Sequence, residues 1–562
     1  MDLTGVEGKN IFRISGIRNI GISLYMSVNS RKSVELIAVL LTYCFIWGCG
    51  DYALINAGTK ELAPKVDLGQ TIGSVAEVLT VESIPVGGYG LAGNLKGTGS
   101  VECPPQVRAY LKRYILTQVS GNKIDIDKFI NSPDTAVVWV EGIIPASASK
   151  NQKFDVKVTA LSGTQTTSLE GGWLYGAELM ARSRLVLTTK ALATTQGPVF
   201  IDTIDTPKTD KKVGYILAGG TVLDEYKISV VLREADYRMT SRVRNRLNER
   251  FSDAEVKAVS SRRVELVVPA KYKGRKQNFV SIVKAMYLDY TPETTYERIM
   301  TFVRKLAVLD DKEASEIALE AIGNESVGKL ATLLNSSNEE VRLRAARCML
   351  NLGSDDGLEV LREIAMHKDS SYRVEALEAI TIAARRNYAV SVCRDLLRDS
   401  DFNIRLATYE QLRKLDDISI ARSHIGRSFY LEQLAQTEYK AIYVCRSGQP
   451  RIVLFGAPIY CRDNIFIQSN DGDITINASA GQRYISVMRK HPTRPIMIGP
   501  LRSSFSVGDI IQVLCEEPPK RGEQGFGGLG VSYADMIALL KQMCDKGAVR
   551  AEFRAGPPPK FD

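Results

Sequence analysis

Residues 72–100 read IGSVAEVLTVESIPVGGYGLAGNLKGTGS. Gly88, Gly90 and Gly93 in this stretch have the G-x-G-x-x-G spacing of a dinucleotide-binding fingerprint. That fingerprint needs a helix beginning near its third glycine, because the helix N-terminus holds the pyrophosphate. Here NLKGTGS follows, and a helix would not survive that run. The stretch instead predicts a glycine-rich loop in which the backbone packs closely or takes positive φ. The loop residues of interest are Gly88, Tyr89, Gly90, Gly97 and Gly99.

Outward from this stretch the pattern is mixed strand and helix. Residues 136–140, AVVWV, predict a short apolar strand, and residues 154–160, FDVKVTA, alternate apolar and polar side chains as a half-buried strand does. A helix is expected after Pro105, ending near Gly121. Residues 228–268 predict a strand, a helix with an apolar stripe, and a second strand.

Between residues 312 and 417 helical periodicity replaces the strand signal, and the sequence repeats. EVRLRAARCML, YRVEALEAITI and NIRLATYEQLR align on Arg342, Arg373 and Arg405, and each follows a polar turn. These features resemble HEAT-type repeats, in which stacked helix pairs bury a continuous core. Such a solenoid offers a partner surface or acts as a spacer, and the sequence leaves both open.

Strands return near residue 439. Residues 441–445 and 451–455 flank a turn and predict a hairpin, and residues 516–530 predict a Gly- and Pro-rich loop. Ser532 to Asp535 resembles a capping box that opens a last helix. The predicted fold class is α+β and multidomain, with β-rich ring-forming domains interrupted by an all-α HEAT-like solenoid.

Length and composition agree with a folded chain of several domains. The 562 residues are too many for one hydrophobic core, and we expect three or four domains. Apolar residues make up 44% and charged residues 24%, values typical of folded protein. The net charge of +9 fits an anionic neighbour or an ordinary solvated surface. No arginine-rich run is interleaved with aromatics, so nucleic-acid binding is not expected.

The N-terminus predicts secretion. Arg31 and Lys32 precede the apolar stretch of residues 36–47, the layout of a secretory signal too short to span a bilayer. Met26 is a plausible true start. The residues up to Cys49 resemble a lipobox, although Trp47 fits that pattern poorly, so lipidation of Cys49 and plain cleavage near it both stay open.

Chemical motifs are scarce. No C-x-x-C spacing occurs, and the three histidines are far apart, so no zinc site is expected. The sequence has no G-x-S-x-G or H-E-x-x-H motif. We therefore predict no catalytic residues, no cofactor and no metal, and the chain is not expected to be an enzyme.

Six stretches, in order, resemble the flagellar P-ring protein family. The first is residues 72–100, with its G-Y-G-L and L-x-G-T-G segments. The resemblance covers roughly residues 70–290 and 440–553, so the HEAT-like block is a departure that looks like an insertion. The other five stretches are residues 135–142, 154–172, 193–199, 228–251 and 529–552.

The resemblance implies a structural role in bacterial motility. P-ring proteins form a closed homo-oligomeric ring in the periplasm around the flagellar rod, at the level of the peptidoglycan, and act with the L-ring as a bushing. Disulfides would stabilise such a ring, and the candidate pairs are Cys445–Cys461 and Cys515–Cys544. If Cys49 is lipidated, the ring would also be tethered to a membrane leaflet, such as the outer membrane.

The expected organisation has seven parts, and two alternative functions stay open. One alternative is an envelope HEAT-scaffold lipoprotein that uses P-ring-like domains outside the flagellum, and the other is a cell-wall-acting enzyme. The parts are a signal segment at 1–49, a linker at 50–70, a P-ring-like α+β region at 71–291, HEAT-like helices at 306–420, a β-rich region at 430–515, a loop at 516–530, and a helix and strand at 531–555.

Overall fold

Six strands between residues 84 and 222 form a closed barrel in the computed structural model. Their order around the barrel is β2-β3-β4-β7-β6-β5. The strands are β2 Ile84–Gly93, β3 Ala136–Ile144, β4 Lys153–Ala160, β5 Trp173–Ala181, β6 Ala193–Pro198 and β7 Val213–Val222. The structure describes residues 68–118, 125–182, 190–204, 209–252, 254–308, 311–491, 495–518 and 527–561.

Alternating side chains fill the barrel. Phe154, Val156, Val158 and Ala160 of β4 are buried, and the residues between them are only half buried. The prediction of a half-buried strand at residues 154–160 is therefore confirmed, with its apolar face in the barrel core. Helices α2 Pro105–Gln118 and α3 Ile126–Ile130 lie in the connection between β2 and β3.

The glycine-rich segment is a strand in its first half, so the prediction of a loop is wrong there. Gly88, Tyr89 and Gly90 belong to β2 and pair with β3. Close packing is the physical reason for the glycines: a Cβ on Gly88 would lie 2.2 Å from the Glu178 carbonyl oxygen. Beyond the strand, Gly97 has φ +86°, and a Cβ on Gly99 would lie 2.1 Å from the Thr135 carbonyl oxygen.

We predict that Gly88→Ala destabilises the chain by about 1–3 kcal/mol, because a methyl group cannot fit against a strand backbone. The measurement is the free energy of unfolding in urea. Gly328→Ala is the matched control: that glycine lies in a helix with open space around it, so alanine should raise stability by about 0.5–1 kcal/mol. Equal effects of the two changes would contradict the close-packing explanation.

A second, smaller α+β body, here called the N-terminal lobe, contains residues 69–79 and 227–288. Its four-stranded sheet has the order β1-β8-β10-β9, and two helices pack their apolar sides on one face of it. The strand–helix–strand prediction for residues 228–268 is confirmed. The elements are α1 Ile72–Val75, β1 Ala76–Leu79, β8 Ile228–Leu232, α4 Tyr237–Arg250, β9 Val256–Ala258, β10 Arg263–Leu266 and α5 Lys276–Ala285.

The helical block follows, over residues 292–414, and begins before the expected boundary at residue 306. Helices α9, α11 and α13 contain the three aligned repeat segments. The helices are α6 Pro292–Val308, α7 Lys312–Ile322, α8 Val327–Leu330, α9 Glu339–Asn351, α10 Leu358–Met366, α11 Arg373–Ala383, α12 Arg386–Leu396 and α13 Phe402–Lys414.

The aligned arginines each donate hydrogen bonds to backbone carbonyl oxygens. Arg342 donates to the carbonyl oxygen of Ser336 at 2.9 Å, and Arg373 donates to that of Ala365 at 3.0 Å. Arg405 donates to the carbonyl oxygens of both Asp399 and Ser400 at 2.7 Å. Each guanidinium thus satisfies carbonyl groups at the end of the preceding helix or in the turn after it.

The C-terminal region contains two sheets, ordered β11-β12-β14-β13-β19 and β15-β16-β17-β18. The predicted hairpin is confirmed, since β13 and β14 pair antiparallel. The strands are β11 Ala421–Ile425, β12 Phe429–Leu434, β13 Ala441–Val444, β14 Arg451–Phe455, β15 Ile465–Gln468, β16 Ile474–Ala478, β17 Ile485–Lys490, β18 Met497–Ser503 and β19 Glu552–Ala555, and the helices are α14 Val507–Cys515 and α15 Tyr533–Asp545.

The architecture confirms the predicted mixed α+β class. A sheet and a barrel precede the multi-helix segment in sequence, and two sheets follow it. Residues 69–562 group into one unit. Within the described ranges, none of the helices has the length and apolar character needed to cross a bilayer.

Candidate functional site

The barrel and the C-terminal region share one hydrophobic core, although more than 200 residues separate them in sequence. Phe200, Ile204 and Leu217 from the barrel side are buried in the same cluster as the apolar face of α15. The ring of Tyr533 lies 5.8 Å from that of Phe200. Its hydroxyl lies 2.7 Å from the carbonyl oxygen of Cys445, so it also holds the β13–β14 hairpin.

A buried ion pair crosses the same junction. The Nη1 atom of Arg446 lies 3.1 Å from Oδ2 of Asp202, and both side chains are largely buried. Arg446 Nε also donates to the carbonyl oxygen of Gly556 at 2.6 Å, which holds the chain just after β19. One guanidinium therefore joins the barrel side, the hairpin turn and the C-terminal segment.

Asp155 provides a second polar link between the barrel and the hairpin turn. Its carboxylate accepts a hydrogen bond of 2.7 Å from the N–H of Ala218, a residue with φ +50° in β7. The same carboxylate accepts from the N–H of Gly448 at 2.8 Å and 3.0 Å. Asp155 thus stabilises a local irregularity of the barrel wall and fixes the turn against it.

The helical block is attached to the N-terminal lobe by buried polar contacts. Arg250 donates to the carbonyl oxygen of Glu320 at 3.0 Å, and Arg275 donates to Oδ1 of Asn351 at 2.7 Å. Lys271 donates to the carbonyl oxygen of Asn351 at 2.7 Å. Burial raises the pKa of Glu320 despite the opposing attraction of Arg275. Ionised Glu320 is therefore an unfavourable element of this junction.

The other end of the helical block is attached to the C-terminal sheet. Glu432 of β12 is fully buried and pairs with Arg413 at 3.1 Å and Arg422 at 2.9 Å. The hydroxyl of Tyr409 in α13 also donates to Glu432. Burial is the main cause that raises the pKa of Tyr409 far above its ordinary value, so this phenol remains a donor.

The seven cysteines in the described ranges carry free thiols in the structure, and the two candidate disulfides stay predictions. Cys445 belongs to the core shared with the helical block, and Cys461 to the core of the C-terminal region. Cys544 packs against that same core, and burial, with a smaller effect of Cys544, raises the pKa of Cys461 to about 12. Burial raises the pKa of Cys515 as well, and its charged neighbours are Asp535, Arg489 and Glu516 rather than Cys544.

The remaining predicted positions form no chemical centre in the described part of the chain. Cys49 lies outside the described residues, so its predicted lipidation is not addressed by the structure. Across the described ranges, His, Cys, Asp and Glu side chains do not assemble into a group of three that could hold a metal ion. The contacts that the geometry does show form three polar junctions between parts of the chain.

Comparison with known families finds a match over part of the chain. Residues 71–308 match the family described as flagellar P-ring protein. The match spans the N-terminal lobe, the barrel and the first helix of the helical block.

Individual P-ring proteins agree over a similar length. The flagellar P-ring protein of Thermotoga maritima is 29% identical over 213 residues, which is 35% of this chain and 60% of the relative. That of Hydrogenovibrio crunogenus is 24% identical over 281 residues, 47% of this chain and 67% of the relative. That of Campylobacter lari is 26% identical over 238 residues, 40% of this chain and 64% of the relative. The chain thus spans about 60–67% of the length of these P-ring relatives.

Sequence reasoning missed the residues that join the barrel to the C-terminal region. Asp155 occupies the polar face of a strand, where an exposed side chain is the ordinary expectation. Asp202 and Arg446 are 244 positions apart, and no local pattern connects them. Among the polar side chains that make these structural contacts, only the aligned arginines of the helical block had a periodic signal in the sequence.

We predict that Arg446→Ala destabilises the chain by about 3–5 kcal/mol, because the substitution leaves the buried Asp202 carboxylate without its partner. Urea unfolding followed by circular dichroism measures the change. Lys112→Ala is the matched control, since it removes an exposed pair with Asp127 and should cost less than about 1 kcal/mol. A loss at Arg446 no greater than the control would refute a structural role for the pair.

For Glu320→Gln we predict a melting temperature about 2–4 °C higher at neutral pH, the shift expected from about 1 kcal/mol. The amide still accepts from Asn351 but carries no buried charge. Since the folded-state pKa of Glu320 is raised, its destabilising effect is present above that pKa. It is lost as pH falls towards the unfolded value of about 4.5, where wild type and variant should converge. A pH-independent difference would contradict this account.

Proposed function

We propose that this chain is a structural, non-enzymatic subunit of a flagellar P ring, and that it forms a closed homo-oligomeric ring in the periplasm around the rotating rod. The observation that carries the proposal is the family match over residues 71–308 together with the fold. The barrel and the C-terminal region, which flank the helical block in sequence, share one core as a ring-building body requires. This role needs no catalytic residue and no cofactor.

The junctions suit a mechanical part. Arg446 and Asp155 each link segments that are far apart in sequence, and Glu432 links the helical block to the C-terminal sheet, so load on one part is shared by the others. Buried pairs of this kind are costly to break one partner at a time. Closing a ring from identical subunits requires a heterologous interface, in which one face of each subunit meets a different face of the next.

The helical block is proposed as a HEAT-type repeat array within the P-ring subunit. Its support is the recurring contact of Arg342, Arg373 and Arg405 with carbonyl groups that precede their helices. In arrays of this kind each repeat contacts its neighbours and the surface is left for partners. This block departs from the pattern that the P-ring resemblance implies.

The partners and the location follow from the P-ring proposal. They are other copies of the chain, the rod, the L-ring proteins and the peptidoglycan, with no role for nucleic acid. Lipidation of Cys49, with tethering to the outer membrane, stays a prediction. The disulfides Cys445–Cys461 and Cys515–Cys544 also stay predictions, and the proximity of Cys544 to Cys461 favours neither pair.

An envelope HEAT-scaffold lipoprotein outside the flagellum is the second candidate. The observation that favours it is that the family match covers residues 71–308 and not the chain beyond them. The two candidates differ in where the protein is found: a P-ring subunit co-purifies with hook–basal bodies, and an envelope scaffold does not.

Electron microscopy of hook–basal bodies from the native host tests the function. We expect that deleting the gene removes a ring at the level of the peptidoglycan and abolishes swimming, and that the full chain restores both. Mass spectrometry of the wild-type particles should identify the chain. Basal bodies that keep every ring after the deletion would exclude the P-ring role.

A further inference from the structure

Charge is unevenly distributed between the two neighbouring bodies of the chain. Residues 227–284 of the N-terminal lobe contain 15 Lys and Arg against 6 Asp and Glu. Residues 312–417 of the helical block contain 15 Lys and Arg against 19 Asp and Glu. Residues 227–284 thus carry a net charge of +9, equal to that of the whole chain, and the block is net acidic.

Part of the positive charge of the lobe lines an open groove of about 470 Å³, here called the basic groove. Arg233, Arg262 and Lys284 line it with a single carboxylate, that of Glu77. All four residues are exposed, and within the described ranges none of the three cations forms an ion pair.

The basic groove is held in place by the backbone around it. The Arg262 guanidinium donates to the carbonyl oxygens of Leu232 at 2.9 Å and Arg233 at 3.3 Å. Glu77 lies in β1, which is an edge strand of the lobe sheet. Part of the wall is apolar, formed by residues such as Val231. The groove is therefore preorganised to receive an acidic surface with some apolar area.

A surface of that description exists on the helical block. An open groove of about 530 Å³, here called the acidic groove, lies along α10 and α12. Its polar lining is Glu359, Glu363 and Asp395, with Arg362 as the one cation. The Arg362 guanidinium lies 3.6 Å from Asp395, and Glu359 accepts a hydrogen bond of 3.2 Å from the Tyr388 hydroxyl. Neither glutamate forms an ion pair within the described ranges, so both keep their negative charge for a partner. Its apolar lining is Val360 and Met366.

We propose that the basic groove of one copy binds the acidic groove of the next copy. Three cations and one carboxylate face three carboxylates and one cation, and each side adds apolar area. Both grooves are open in the single chain, so they are not covered by each other within one molecule. A contact between two different faces of identical chains is heterologous, the type that a closed ring needs. This inference deepens the proposed P-ring function and rests on it.

The test reverses charge on each side and then recombines the variants. One variant of the full chain has Arg233→Glu with Arg262→Glu, and the other has Glu359→Arg with Glu363→Arg. Self-association is measured by sedimentation velocity at low and at physiological salt. We expect each variant to associate about tenfold or more weakly than wild type. An equimolar mixture should recover, because each reversed groove then meets an opposite charge on the other variant.

Matched controls separate local charge from net charge. The controls are Arg462→Glu with Arg483→Glu, and Glu438→Arg with Asp463→Arg, which change exposed charges on the C-terminal region by the same amounts and should leave association unchanged. Circular dichroism melting verifies that every variant folds. The wild-type contact should also weaken as salt rises, because exposed charges are screened.

Several results would overturn the contact. They are a wild-type chain that stays monomeric, reversals that act no more strongly than the controls, and a mixture that does not recover. In the last case the basic groove has a different anionic occupant. The ring is judged separately: if basal bodies of the deletion strain lose the ring while the reversals have no effect, the P-ring function stands and this contact fails.

Discussion

One constraint governs this molecule: the barrel and the C-terminal region must bury their apolar surfaces against each other. Phe200, Ile204 and Leu217 complete a core whose other members come from beyond residue 424. Burial of apolar area is the main favourable contribution to folding, and neither part has enough of its own surface covered at this boundary. The Arg446–Asp202 pair and the Asp155 carboxylate then fix the orientation that the apolar contact permits.

At each end of the helical block, a carboxylate is buried away from water. Glu320 faces the arginines of the N-terminal lobe, and Glu432 faces those at the C-terminal end of the block. Buried charges add little net stability compared with apolar packing, but they penalise any arrangement that separates the partners. We infer that these junctions specify where the block sits rather than supply the energy that folds it. That specificity makes alternative packings of the block costly.

The glycines of β2 are explained by close packing of the strand backbones in the barrel. The run of residues 87–93 has the spacing of a phosphate-binding loop, yet its residues pair as a barrel strand. Gly88 lets β5 approach the β2 backbone, and a side chain there would meet the carbonyl oxygen of Glu178. Residue spacing alone could not distinguish these uses, because both require glycine for close backbone approach.

The sequence by itself determined what depends on neighbouring residues. Period-two alternation predicted the strand at residues 154–160, and the arginine spacing predicted a helical repeat. The resemblance to the P-ring family was likewise legible in order along the chain and is matched over residues 71–308. Only the tertiary structure decided that the glycine run is a barrel strand, that Asp155 and Arg446 bind the hairpin turn to the barrel side, and that Cys461 and Cys544 share one core. The physical reason is distance along the chain: contacts between residues hundreds of positions apart leave no periodicity, so burial and partnership appear only once the two ends fold together.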